Sequence, residues 1–224
     1  MSALKNSTPR KMPVQARSKM TVAAILEATA RVLVECGYER TTTNLVAERA
    51  GVSIGSLYEY FPNKEALVGS LARAHVEELV DLVDEALRSS VGAAPRRALL
   101  SLVRAGLRAH SVNPKLHKVL VEQVPRIGAL ADFLNISSLL QQKIERDLQS
   151  RMPHLSLGRI RMISFVIETC IEALTHRAVL DAPNWLSSGE LEKEAMRLLL
   201  PYLEETTDRA AAPRRSSSGN ERMP

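Results

Sequence analysis

Apolar residues recur three and four positions apart along almost the whole chain, and that period commits it to helices. In 18–36, SKMTVAAILEATARVLVEC, the residues Val22, Ile25, Leu26, Thr29, Val32 and Leu33 fall on one helical face, and Gly37 closes the segment. Strand signals are scarce. There is little strict alternation, aromatics make up only 4% of residues, and no Asn-Gly or Asp-Gly turn joins β-branched runs. The expected fold class is all-α.

Breakers divide the rest. A short helix is expected from Thr43, as N-cap, to Ala50, with Gly51 just past its end. The next starts at Ser53 and must stop before Pro62, since a residue preceding proline is pushed out of the helical region. Asn63 then caps a long helix over 64–90. Further helices are expected at 96–112, 115–124, 126–151, 156–180 and 190–207, separated by Gly92 to Pro95, Asn113-Pro114, Pro125, Met152-Pro153 and Asp181 to Gly189. The tail AAAPRRSSSGNERMP is poor in apolar residues and is expected to be disordered.

At 224 residues and 45% hydrophobic, the chain accommodates one small and one larger domain. The expected division is a basic flexible arm over 1–16, a reading domain over 17–63, a larger helical domain over 64–208 and a tail over 209–224. No apolar run has membrane-spanning length and the start lacks the apolar stretch of a signal peptide, so a cytoplasmic protein with no membrane partner is expected. Cys36 and Cys170 lie far apart in helix-patterned segments and read as small core residues.

Charge is uneven. Residues 1–64 hold nine Lys/Arg against five Asp/Glu, whereas 65–208 hold 17 against 19. The first acid is Glu27, after Lys5, Arg10, Lys11, Arg17 and Lys19. Such an arm suits a polyanion, although a solvated arm has the same composition.

The stretch AGVSIGSLYEYFPNKEAL, 50–67, has the spacing of a helix-turn-helix pivoting on Gly51-Val52-Ser53. At about 100° per residue, Leu57 and Phe61 point the same way and mark the buried face. Glu59 then lies opposite, beside Gly55 and Ser56, with Tyr58 and Tyr60 to either side. That outward face is small enough for close approach to DNA, and its flanking phenols can reach phosphates. Packing of the two tyrosines on the first helix, with Gly55 at a tight helix crossing, is the competing reading.

From Arg17 to about Leu71 the chain resembles the DNA-binding domain of the TetR family of transcriptional regulators. The resemblance rests on Ile25, Leu26 and Ala28; Gly37-Tyr38; Thr41-Thr42; Leu45 through Ala50; Gly51-Val52-Ser53; Gly55-Ser56-Leu57-Tyr58; Tyr60-Phe61; and Asn63 through Leu67. It covers about a quarter of the chain, and the helical remainder is similar in length and pattern to the family's ligand-binding and dimerisation domain. The resemblance implies DNA contacts from Thr42, Thr43, Tyr58, Tyr60 and Lys64, and approach to base edges or backbone by Ser53, Ile54, Gly55 and Ser56. Ile54 departs from the polar or basic residue often expected there, and Glu59 places a carboxylate on the DNA side.

The resemblance also implies a homodimer built by the last two long helices, for which Ile160, Ile163, Ile167, Cys170, Ile171, Leu174 and Val179 with Leu191, Ala195, Leu198, Leu199 and Tyr202 offer apolar surface. It implies a small-molecule effector pocket too. With so few aromatics left outside the reading domain, an aliphatic effector is expected, and His110, Glu122, Arg126 and Cys170 are candidates to orient it. Glu168, Glu172 and His176 share four-residue spacing, but no second histidine joins that row. His110 and His117 are separated by Asn113-Pro114, so no metal centre and no cofactor are expected. No phosphate-cradling loop, nucleophile elbow or HExxH is present, which argues against an enzyme. The expected function is a repressor that binds a palindromic double-stranded DNA operator as a homodimer and is released by its effector. A helical protein-interaction adaptor is the alternative.

Overall fold

The computed structural model describes residues 16–123 and 130–211, and every regular element among them is helical. The elements are α1 (Ala16–Arg40), α2 (Thr43–Ala50), α3 (Ile54–Tyr60), α4 (Lys64–Ser89), α5 (Pro95–Ser111), α6 (Pro114–Gln123), α7 (Leu130–Arg151), α8 (Leu157–Asp181), α9 (Trp185–Ser188) and α10 (Glu190–Ala211). No helix among the described residues is long and apolar enough to cross a membrane. The expected arm and tail lie outside the described residues, apart from the last residue of the arm and the first three of the tail.

Helix ends follow local chemistry closely, with two departures from expectation. Gly37 sits at φ 76° and breaks the regular path of α1, but helical residues resume and reach Arg40. The cap of α2 is Thr42 rather than Thr43: the Thr42 hydroxyl accepts from the Leu45 N–H at 3.2 Å. A hydroxyl one residue earlier satisfies the same orphan donors, and Thr43 is thereby freed to project from the first turn. The far end of α2 closes with Val52 N–H to Ala47 O at 3.0 Å and Gly51 N–H to Glu48 O at 3.1 Å, the paired bonds of a Schellman motif. Gly51 takes φ 67°, the left-handed conformation this ending requires. Ser53 caps α3, and Asn63 Oδ1 caps α4 by accepting from Ala66 N–H at 2.7 Å.

The first three helices enclose Ile25, Val32, Val46, Leu57 and Phe61, none more than 1% exposed. A second cluster joins α1 to α4 and α6 through Leu33, Val68, Leu71, Leu116 and Leu120. Leu120 is fully buried there, and truncating such a side chain to Ala costs about 2–5 kcal/mol. The reading domain is thus seated on the larger domain by apolar packing, not by a linker.

The largest core lies among α5, α7, α8 and α10. Most residues expected to face a dimer partner are inside it: Ile160, Ile163, Ile167, Leu191, Ala195 and Leu199 are all buried within the chain. Helical periodicity identifies an apolar face without saying which neighbour covers it. The exposed large apolar side chains on α8 and α10 are instead Leu157, Met162, Phe165 and Leu198. Arg151 ties the end of α7 to the α4–α5 turn, bonding Asp147 at 2.6 Å and the carbonyls of Ser90 and Ala93 at 2.9 and 3.0 Å.

Candidate functional site

Two regions concentrate exposed or buried polar groups in an organised way. One is the outward side of α2 and α3. Leu57 and Phe61 are buried, while Ser53, Ile54, Gly55, Tyr58 and Glu59 are exposed. A Cβ built on Gly55 would meet nothing nearer than Ser53 Oγ at 3.8 Å, so no helix crossing inside the chain demands glycine there. Tyr58 OH lies 3.0 Å from Thr43 Oγ1, bringing two hydroxyls from different helices together at the seam. The Ser56 N–H donates to Ser53 Oγ at 3.0 Å, with the two hydroxyls 2.9 Å apart.

Tyr60 is half-buried against the reading-domain core. Lys64 is also partly turned inward. Its ammonium donates to Tyr38 O at 3.0 Å and Glu39 O at 3.4 Å, and sits 4.2 Å from the centroid of the Tyr38 ring. It therefore neutralises the carbonyl end of α1, leaving only part of its donor capacity for a phosphate. Thr42 is exposed, with its oxygen engaged as the α2 cap.

The second region is a cavity between α4, α5, α6, α7 and α8. Leu79, Val83, Leu102, Ile136, Leu140, Ile144 and Ile171 give it an aliphatic body; His110, His117, His176, Glu168 and Glu172 form its polar end. Glu168 is 7% exposed and one of its oxygens, Oε1, has no hydrogen-bond partner. Burial and the neighbouring Glu172 carboxylate push its carboxyl up to about 7. Burial also pushes His110 down to about 4 and His117 down to about 2, with the surrounding rings adding to the effect, so both are neutral imidazoles at ordinary pH.

Of the four residues singled out to orient an effector, His110 lines the cavity. Glu122 is on the surface, 4.0 Å from Lys118, and Cys170 packs against the larger core. Arg126 lies outside the described residues. His75 was not singled out; its Nε2 is 2.9 Å from His117 Nδ1, and it comes from a helix remote in sequence. No local spacing signals that meeting.

Residues 25–71 match the model of bacterial regulatory proteins of the tetR family, and residues 94–203 match that of the tetracyclin repressor-like C-terminal domain. Over 108 residues the chain is 35% identical to the HTH-type transcriptional repressor KstR of Mycolicibacterium smegmatis, covering 48% of this chain and 50% of that protein. It is 30% identical over 76 residues to the fatty acid metabolism regulator protein of Bacillus subtilis, covering 34% and 39% respectively. The matched segments thus span half or less of these relatives' length. Among solved structures, a transcriptional regulator from Rhodococcus sp. Rha1 superposes with a TM-score of 0.67 at 19% identity, covering 84% of this chain and 97% of that one. The fatty acid degradation regulator FadR of Bacillus halodurans gives 0.63 at 22%, covering 84% and 97%. The three-helix reading head, the helical domain behind it and both family matches lead to one assignment: the chain belongs to the TetR family of transcriptional regulators.

Proposed function

We propose that this regulator binds a palindromic operator as a homodimer, represses from it, and is released when a small molecule with an aliphatic body enters the α4–α8 cavity. The outward face of α3 carries the reading. Its small and polar residues are exposed around Gly55, where an intramolecular role for glycine is absent, and the Thr43–Tyr58 hydroxyl pair flanks it. Ser53, Ile54, Gly55 and Ser56 would approach base edges; Thr42, Thr43, Tyr58, Tyr60 and Lys64 would fix the register on phosphates. Met162, Phe165 and Leu198, exposed on α8 and α10, support a partner surface on those helices.

The aliphatic cavity walls favour an effector with a hydrocarbon body, and the carboxyl groups of buried Glu168 and partly exposed Glu172 favour a donor or cationic group at its polar end. The names of two relatives refer to fatty acids, consistent with a hydrocarbon body. Selection of sites from a random DNA pool, with wild type and Tyr58→Ala compared across salt concentrations, tests the reading. A palindrome bound by wild type, weakened by the substitution and by rising salt, is the expected result. No enrichment over non-specific binding would favour a helical adaptor instead.

A further inference from the structure

Three of the five histidines line the polar end of the cavity and a fourth, His75, pairs with one of them, although the four come from α4, α5, α6 and α8. Ring centroids lie 4.4 Å apart for His110 and His117, 5.0 Å for His110 and His176, and 4.8 Å for His117 and His176. One ring nitrogen from each of these three lies within 4.8 Å of the other two.

A backbone carbonyl assigns the nitrogens of His110. His110 Nδ1 is 2.7 Å from Gly106 O. A carbonyl only accepts, so the proton is on Nδ1 and Nε2 keeps its lone pair. His117 Nδ1 pairs with His75 Nε2, whereas His117 Nε2 has no hydrogen-bond partner in a side chain 2% exposed. An orphaned nitrogen this deeply buried is costly unless something fills its place. His176 Nδ1 faces Glu172 Oε1 at 3.8 Å, and Glu172 is itself held by Ser137 Oγ at 2.9 Å. A backbone carbonyl on the outer nitrogen, as at His110, orients a histidine that ligates a metal through the inner one.

We propose that His110, His117 and His176 bind one divalent transition-metal ion of the zinc class, each through one ring nitrogen, with a remaining coordination position open to the cavity. Three imidazoles select this class over magnesium or calcium, which require oxygen ligands. Glu168 and Glu172 line the same end and offset the ion's charge. Bonds of about 2.0–2.1 Å set nitrogen separations near 3.3 Å in a tetrahedral site. The rings would therefore draw in by about 1.5 Å at most from the present 4.8 Å spread, a distance within reach of small side-chain rotations and helix shifts.

The test uses the full chain, stripped with a chelator and titrated with Zn2+ by calorimetry and with Co2+ by visible absorption. The expected result is one ion per chain, with affinity reduced at least about 100-fold in His117→Gln and in His176→Gln, and about tenfold in His75→Gln. His154→Gln alters an exposed ring and is expected to bind as wild type. If His117→Gln does not fold, His176→Gln, at a ring 28% exposed, carries the comparison. Absence of saturable binding by wild type overturns the proposal, as does unchanged affinity in the folded His176→Gln protein. The site lies in the cavity assigned to the effector, but ion binding is read without DNA, so failure here and failure of operator binding are distinguishable.

Discussion

The hydroxyls of Thr43 and Tyr58 lie 3.0 Å apart, joining the first turn of α2 to α3 across the helix-turn-helix seam. Thr43 is half-buried and Tyr58 is 41% exposed, so the pair is preorganised yet open to a phosphate oxygen. Either hydroxyl can donate outward while accepting from the other.

Removing one member should therefore weaken operator binding without harming the fold. Tyr58→Phe is expected to cost about 1 kcal/mol, roughly a fivefold loss of affinity, and the loss should be similar on operator and unrelated DNA. Thr43→Val should act similarly, and the double substitution should cost less than the sum because the two share one contact. Fluorescence anisotropy on a selected site reads the losses; a fall of many degrees in the thermal midpoint would mark a structural role instead.

Gly55 separates stability from recognition more sharply. Open space around its absent Cβ means that Gly55→Ala should stabilise α3 slightly, by about 0.5–1 kcal/mol, as alanine does at helical positions free of strain. The added methyl stands on the face that approaches DNA, so affinity should fall even as the unfolding midpoint rises. Unchanged affinity would place the reading face elsewhere.

Gly106 is the opposite case. A Cβ there would collide with Ile171 Cγ2, where α5 crosses α8. Gly106→Ala should destabilise the chain by about 1–3 kcal/mol through forced displacement of a packed side chain. Both residues line the cavity, so the substitution should also alter effector affinity while leaving the reading head's own core intact. Denaturant unfolding and ligand titration check the two effects separately.

In metal-stripped protein, Glu168 predicts a particular pH dependence. Its carboxyl titrates near 7 when folded, against 4.5 without the burial and the Glu172 carboxylate beside it. The folded state holds the proton more tightly, so this contribution is complete below about pH 4.5 and is lost as pH rises through about 7. Glu168→Gln should flatten that decline and gain on the order of 1 kcal/mol near pH 8, after allowance for screening through the cavity mouth. Urea midpoints near pH 5 and pH 8 decide it; parallel shifts at both would remove Glu168 as the cause.

The reading head was legible in the sequence because its determinants are local. Gly51, Ser53, Asn63 and the Leu57–Phe61 spacing each act within one turn of helix, and each occupies the role its chemistry predicts. The one-residue error at Thr42 arose because two adjacent threonines present equivalent caps. The cavity was far less legible. Along α8, Glu168, Glu172 and His176 share a spacing without a second histidine, because the other rings arrive from α4, α5 and α6. The turn at Asn113-Pro114, which weakened any shared-face argument for His110 and His117, is what folds α6 back so that their rings meet edge to face. Likewise, Ile160 and Leu199 were apolar enough for either a partner or the chain's own core, and only packing distinguishes the two.

Helix α6 presents Leu116 and Leu120 to Leu33 of α1 while His117 faces the ring cluster. One rigid element therefore has a seat in the reading head and another in the cavity wall. In the proposed switch, an occupant that draws His117 toward α8 would pull on the α1 seat, and detailed balance would make the exchange symmetrical: operator DNA would change the occupant's affinity by the same factor by which the occupant changes the operator's. The strength of the proposed switch is thus measurable from either end.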